Sequence, residues 1–185
     1  MMFLFTSSPK IGSRAIRWAL DEPCSHFAMV FDERENGYGI VFHSHLSGVS
    51  FDWFRNFYTT NRIVVALRPK NITLSDEERL YQSIVSRFYG KKYDKKQFLE
   101  FAYYALRRKA TGSEIPSTSR FGKKDAFLCT EISAGIKEAK PEYFGSPFSG
   151  DLITPYQLYF SMLKSNHIEP VPWIADVRDM LAKGD

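Results

Sequence analysis

The stretch SHFAMVFDERENGYGIVFHSH, residues 25–45, decides the fold because two apolar runs flank a polar segment rich in turn residues. Short runs of β-branched and aromatic residues are typical of strands, and Asn-Gly pairs are typical of turns. The sequence therefore predicts one strand at residues 24–31, a turn at 35–39 and a second strand at 39–45. Together they form an antiparallel hairpin, which carries three of the four histidines of the chain.

The hairpin brings these histidines together. Side chains alternate along a strand, so His26 is expected to share a face with Cys24, and His43 with His45. A turn near Gly37 places His26 and His43 on neighbouring strands, roughly across from one another. Two imidazoles in this arrangement can act as a general base and as the group that orients it.

The rest of the chain predicts an α+β fold, in which a small antiparallel sheet packs against helices. We expect one domain over residues 1–185, with a core at about 3–160 and a C-terminal extension at 161–185. Hydrophobic periodicity and capping signals predict further strands at 2–7 and 62–69 and helices at 11–21, 75–90, 95–112, 129–139 and 154–165. The tail after residue 167 predicts a short strand and a last helical turn. The first helix is expected to have its apolar face at Ile11, Ala15, Trp18 and Ala19.

Composition limits the function classes. The 44% hydrophobic content suffices for a packed core, and no run approaches the roughly 18 apolar residues of a membrane helix. The first residues lack the charged and apolar regions of a signal peptide, which predicts a cytoplasmic protein, or one released without a classical signal. The net charge of +4 comes from short lysine and arginine clusters, which favour a solvated surface over specific nucleic-acid binding. Two cysteines do not make a disulfide framework.

The segment DAFLCTEISAGIKEA, residues 125–139, contains the candidate nucleophile. Cys129 lies where an apolar run turns into a helical pattern. The partial positive charge and free N–H groups of a helix N-terminus favour a thiolate, so the pKa of Cys129 is expected to be depressed. The backbone N–H of Cys129 is then a candidate oxyanion donor. The alternative is a buried structural thiol, since free cysteine is among the most buried residue types.

Five short motifs occur in a specific order along the chain, namely SHFAMVF (25–31), VFHSHLSGVSF (41–51), FYGKKYD (88–94), CTE (129–131) and ITPYQL (153–158). In wording and order they resemble the circularly permuted NlpC-type, papain-like cysteine hydrolases, in particular the YiiX/YaeF and lecithin:retinol acyltransferase branch. The resemblance covers about residues 3–160. The N-terminal part is also similar to small phage-encoded members of this group, and this resemblance implies a phage origin and, as an alternative, a location in a phage-infected host cell.

The resemblance implies a permuted papain-like fold and a thiol hydrolase or acyltransferase that needs no cofactor and no metal. It assigns Cys129 as the nucleophile, His26 as the base and His43 as the orienting group. The implied partners are peptide, glycopeptide or lipid-like acyl substrates with an amide or ester bond. The YiiX branch usually has a glutamate at the third position and the acyltransferase branch a histidine. This chain has the histidine but lacks the N-C-E-H sequence of the acyltransferases, so the branch does not settle the substrate.

Several residues have alternative roles. His45, Glu131 and Tyr93 are candidate supporting residues, although Glu131 can simply favour the first helical turn and Tyr93 can fix a loop. His43, His45 and Cys129 could bind zinc, but no fourth ligand is evident. Cys24 and Cys129 could form a redox-sensitive disulfide. The whole chain could also be a non-catalytic binding module of the same fold, such as a phage protein that binds a host factor.

Overall fold

A six-stranded antiparallel sheet forms the centre of the protein in a computed structural model, which describes residues 1–31, 39–121, 126–146 and 152–171. In these residues the strand order is β4-β3-β2-β1-β5-β8. The strands are β1 (Met2–Ser7), β2 (His26–Phe31), β3 (Ile40–His45), β4 (Gly48–Trp53), β5 (Arg62–Pro69) and β8 (Ile168–Pro170). Two short parallel strands, β6 (Lys92–Tyr93) and β7 (Ala126–Phe127), pair beside this sheet.

Helices surround the sheet and confirm the α+β class. They are α1 (Ile11–Leu20), α2 (Phe54–Thr60), α3 (Leu74–Phe88), α4 (Lys95–Thr111), α5 (Ile132–Ala139) and α6 (Pro155–Leu163). Two 3-10 turns, Cys129–Glu131 and Pro141–Tyr143, precede and follow α5. None of the helices in the described ranges is both long and apolar enough to span a bilayer.

The two faces of the sheet bury different sets of side chains, as the period-two alternation of strands requires. One face packs against α3, α5 and α6 through a core that includes Phe5, Phe27 and Met29. The opposite face carries Ala28 and Val30 and is covered by Phe54 and Phe57 of α2. Helices α1 and α4 pack against each other in a third cluster.

Several predicted elements have the expected bounds, and others differ for physical reasons. β1 and β5 begin and end where predicted, and α3 buries Leu80, Ile84 and Phe88. The predicted apolar face of α1 is wrong, because Ile11 and Trp18 are 84% and 62% exposed. Helix α1 instead turns Ala19 and Leu20 toward α4.

Some elements were not predicted, namely β4, α2 and the β6–β7 pair. β8 was predicted only as a short strand in the tail, and it adds an edge strand to the sheet beside β5. Most of the predicted turn at 35–39 and the predicted last helical turn lie outside the described residues.

The close packing of α5 on α3 generates a stability prediction. A Cβ atom added at Gly135 would lie 2.8 Å from a ring carbon of Phe88, so the ring would have to move. Gly135→Ala should lower the free energy of unfolding by about 1–3 kcal/mol, the usual cost of overpacking. Gly12→Ala in α1 is the matched control, because a Cβ there meets nothing within 4 Å. It should raise stability by about 0.5 kcal/mol through helix propensity, and urea titrations that rank the two variants in the opposite order would contradict this packing.

Candidate functional site

The candidate site lies where two neighbouring strands separate. β2 and β3 pair from Phe31 and Ile40 to Ala28 and His43, and the pairing then ends although both strands continue. Beyond this point β2 stays paired with β1, and β3 stays paired with β4. Backbone groups between the separated ends need other partners, because an unpaired buried N–H or C=O is costly.

The segment that leads into α5 supplies such a partner to β2 and contacts a side chain of β3. The backbone N–H of Phe27 donates to the sulfur of Cys129. On the other strand, the hydroxyl of Ser44 donates to the carbonyl oxygen of Phe127 at 2.9 Å. The 3-10 turn at residues 129–131 contacts both β2 and β3. The cysteine, distant in sequence, therefore lies beside the first residues of β2.

His26 and His43 are in direct contact at the same place. The Nε2 atom of His26 is 3.1 Å from the Nδ1 atom of His43, and the two rings meet edge to face. The register differs from the predicted one by two residues, since Ala28, not His26, lies opposite His43. The two histidines are diagonal neighbours on one face, a separation that aromatic side chains can bridge. The Nδ1 atom of His26 has no hydrogen-bond partner among the described residues.

Aromatic packing holds the two rings in place. The ring of Phe57 from α2 lies 5.1 Å from the ring of His43 and 6.2 Å from that of His26, measured between centroids. His43 is only 7% exposed, whereas His26 is half-buried. On its other side, His43 stacks on the ring of His45 at 4.9 Å. The ring of His45 is in turn hydrogen-bonded to two serine hydroxyls, at 2.6 Å from Nδ1 to Ser47 and at 2.8 Å from Nε2 to Ser50.

The histidines are uncharged at neutral pH. Burial, with a smaller electrostatic contribution from His45, lowers the pKa of His26 to about 4. Burial also lowers the pKa of His43 to about 2, with smaller contributions from His26 and His45. The pKa of His45 is lowered as well, again chiefly by burial. Desolvation penalises the imidazolium form, so each ring is a neutral donor and acceptor at rest.

The predicted depression of the Cys129 pKa is wrong. Burial raises the pKa of this thiol to about 11, and the backbone N–H groups of Phe27 and Thr130 offset the burial only in part. The helix N-terminus has a smaller effect than expected because Cys129 opens a 3-10 turn of three residues, while α5 itself begins at Ile132. The resting thiol is therefore protonated. The side chain is nevertheless partly exposed.

Glu131 and Tyr93 both lie close to Cys129. The carboxylate of Glu131 accepts a hydrogen bond from the backbone N–H of Leu128 and so fixes the turn that carries the thiol. Tyr93 pairs with Phe127 in the β6–β7 ladder. Its pKa is raised by burial first and then by the charges of Cys129 and Glu131. Tyr93 therefore remains a protonated hydroxyl at neutral pH.

Cys24 does not lie where the alternation predicted. It is fully buried in the cluster that contains Phe27 and Met29, on the face opposite to His26. The reason is that β2 begins at His26, so strand alternation does not extend back to residue 24. Burial raises the pKa of Cys24 to about 12, and the charges of Glu22 and Cys129 add to this effect. Both cysteines are free thiols.

Three contributors to the site were not foreseen from the sequence. They are the backbone N–H of Phe27, the hydroxyl of Ser44 and the ring of Phe57. Ser44 lies between His43 and His45, so strand alternation predicts that its side chain is on the opposite face of β3 from the histidines, outside the site. For a metal, the described ranges hold no cluster of three or more His, Cys, Asp or Glu side chains arranged to bind one.

Comparison with known proteins supports the fold. The crystal structure of the metalloprotein YiiX from Escherichia coli O157:H7 is similar to this chain, with a TM-score of 0.51 at 18% sequence identity. The similarity covers 92% of this chain and 94% of the YiiX chain. No family model and no curated protein sequence matches. The likeness concerns the fold, and it agrees with that part of the resemblance seen in the sequence motifs.

The raised thiol pKa generates a prediction for alkylation. Iodoacetamide reacts with the thiolate, so labelling of Cys129 should accelerate about tenfold per pH unit between pH 7 and pH 9. Cys24, which is fully buried, should label more slowly at every pH. Peptide mapping by mass spectrometry separates the two sites. A labelling rate of Cys129 that is already maximal at pH 6 would show a thiolate–imidazolium pair instead of the neutral pair.

Proposed function

We propose that the protein is a thiol hydrolase or acyltransferase that acts on an amide or ester carbonyl through Cys129, His26 and His43. The observation that carries this proposal is the hydrogen bond between His26 and His43, beside the thiol that accepts the Phe27 N–H. A base, its orienting partner and a nucleophile in one place are the parts of a catalytic triad. The fold similarity to YiiX and the motif order support the same assignment.

The hydrogen-bond geometry suggests which nitrogen does what. With its proton on Nε2, His26 donates to Nδ1 of His43 and leaves its own Nδ1 as the proton acceptor for the thiol. Transfer of the thiol proton to Nδ1 produces an imidazolium whose Nε2–H still donates to His43. The tautomer of His26 is thus fixed by a neutral ring, and the buried site contains no permanent charge on the histidines.

The reaction then follows two balanced steps. The sulfur of Cys129 attacks the carbonyl carbon while its proton passes to His26, and the backbone N–H of Cys129 is a candidate donor to the oxyanion. His26 returns this proton to the leaving amine or alcohol, and a thioester with Cys129 remains. Water or an acceptor alcohol or amine loses a proton to His26, attacks the thioester and releases the acyl group. The free thiol is restored when His26 protonates the sulfur.

The roles of the two candidate orienting histidines can be separated by mutation. His43→Ala removes the hydrogen bond to His26 and should lower the rate of Cys129 acylation by about 10²-fold, as for other triad orienting groups. His45→Ala removes only a stacked neighbour and should cost less than about 10-fold. Acylation is measured by mass spectrometry with an activated ester probe. If His45→Ala loses most of the acylation rate and His43→Ala keeps a near-normal rate, the orienting group is His45 and not His43.

Controls separate catalysis from folding and from binding alone. Both histidine variants should melt cooperatively near the wild-type temperature, and Cys129→Ala should accept no acyl group. Cys24→Ala should keep acylation, because its side chain lies in the opposite core cluster. If wild-type protein forms no thioester with peptide, ester or thioester probes, the non-catalytic binding module of the same fold becomes the better interpretation.

A zinc-binding protein is the third interpretation, after the non-catalytic binding module, and the description of YiiX as a metalloprotein is the observation that raises it. In this chain the donors would be His43, His45 and Cys129. We expect no stoichiometric metal, because His43 already contacts His26 and His45 already contacts two serine hydroxyls. Elemental analysis of untagged protein tests this. One zinc per chain that disappears in both His43→Ala and His45→Ala would replace the thiol mechanism with a metal site.

A further inference from the structure

A basic cavity lies next to the candidate site. It has a volume of about 840 Å³, and its walls come from the β3–β4 turn, the loop between α3 and α4, and β7. Four lysines line it, namely Lys91, Lys92, Lys95 and Lys96. Within the described ranges, no ion pair engages Lys92, Lys95 or Lys96. Like charges concentrated in one cleft focus the electrostatic field and attract a ligand of opposite charge.

Among the described residues that line the cavity, the one acidic side chain is already engaged. Asp94 is 2% exposed, and its carboxylate accepts hydrogen bonds from the backbone N–H groups of Lys96 and Gln97. This cap also occupies the N-terminus of α4, so the helix end itself is not the proposed ligand site. The lysine side chains therefore dominate the charge that a ligand would meet.

The loop between α3 and α4, residues 89–94, which carries Lys91 and Lys92, is hydrogen-bonded to the sheet. The N–H of Val49 donates to the carbonyl of Lys91 at 2.8 Å, and the N–H of Gly90 donates back to the carbonyl of Val49 at 3.0 Å. Gly48 has a φ of +130°, and a Cβ there would lie 2.7 Å from the carbonyl oxygen of Lys91. Only glycine allows this close approach of backbone to backbone. The position of this loop is thus set by β4, the strand that pairs with β3 and its two histidines.

Two connections link the cavity to the thiol. Tyr93 lines the cavity and pairs with Phe127, which lies two residues before Cys129. Ser47 also lines the cavity and is hydrogen-bonded to the ring of His45, which stacks on His43. A ligand in the cavity therefore lies beside the residues that surround the nucleophile.

We propose that this cavity binds an anionic group, a carboxylate or a phosphate, on the acyl substrate and so places the carbonyl of the same molecule at Cys129. This inference rests on the proposed function for the reacting residues. It goes beyond that function by naming the charge of the substrate and the lysines that select it. The lysines act as specificity residues and take no part in proton transfer.

A pair of matched probes tests the charge preference. The first probe is 4-nitrophenyl hydrogen glutarate, which carries a carboxylate on its acyl part, and the second is its neutral methyl ester. Release of nitrophenolate reports acylation of Cys129 by either probe. Wild-type protein should prefer the anionic probe, and the preference should weaken as salt rises from about 0.05 M to 0.5 M, because ions screen exposed charges.

Charge-reversal variants locate the preference. Lys92→Glu and Lys96→Glu should each lower the ratio of kcat/KM for the anionic and neutral probes by about 10-fold or more. Lys70→Glu is the matched control, because it makes the same charge change on an exposed residue outside the cavity, at the end of β5. It should leave the ratio unchanged. If Lys92→Glu and Lys96→Glu are both acylated and both keep the wild-type ratio of kcat/KM for the two probes, the proposed anion site is wrong and the thiol mechanism is unaffected.

Binding without chemistry separates the two proposals. Cys129→Ala protein is titrated with glutarate and, separately, with inorganic phosphate, and amide shifts of residues 90–96 are followed by NMR. Saturable shifts that Lys92→Glu abolishes support the cavity even if no probe acylates, and the tighter anion identifies carboxylate or phosphate as the group recognised. Absence of saturable shifts with both anions overturns the inference, whether or not Cys129 proves reactive.

Discussion

The site depends on unpaired backbone groups where β2 and β3 separate. Both strands remain paired on their outer sides, so the backbone N–H of Phe27 on the inner edge of β2 needs a partner that β3 does not supply. The segment before α5 supplies the sulfur of Cys129 as the acceptor for this N–H, and its Phe127 carbonyl accepts a hydrogen bond from the side-chain hydroxyl of Ser44 on β3. Because a buried donor without an acceptor costs about 1–3 kcal/mol, this requirement ties the thiol to β2, the strand that carries His26. The packing of α5 on α3 then holds the segment in position.

The same separation explains why the histidines are neutral. His26 and His43 lie on the face covered by α2, where Phe57 contacts both rings, His43 is buried and His26 is half-buried. A carboxylate in place of His43 would stabilise the His26 imidazolium and raise its pKa. A neutral His43 offers one hydrogen bond and no charge, so His26 is charged only during the reaction. The site therefore has no permanent ion pair at His26, and the hydrogen bond to His43 fixes the orientation of the His26 ring.

The sequence predicted those parts of the fold that depend on local patterns. The hairpin, α3, α4 and the position of Cys129 ahead of α5 follow from alternation, helical periodicity and turn residues. β4 was not predicted, although Val49, Phe51 and Trp53 alternate with polar residues as in a strand. The diagonal contact between His26 and His43 depends on a register that local patterns do not fix. The thiol pKa depends on burial by elements far apart in the chain.

The neutral site and the basic cavity are compatible for an electrostatic reason. A preformed thiolate would repel an anionic substrate, by roughly 1–2 kcal/mol for unit charges about 10 Å apart at an effective dielectric constant of about 20. A protonated Cys129 avoids this repulsion while the substrate binds to the lysines. Negative charge then appears on the substrate oxygen and positive charge on His26 in the same step. The attraction between these new charges stabilises the transition state. A permanent thiolate–imidazolium pair would instead be stabilised before the substrate binds.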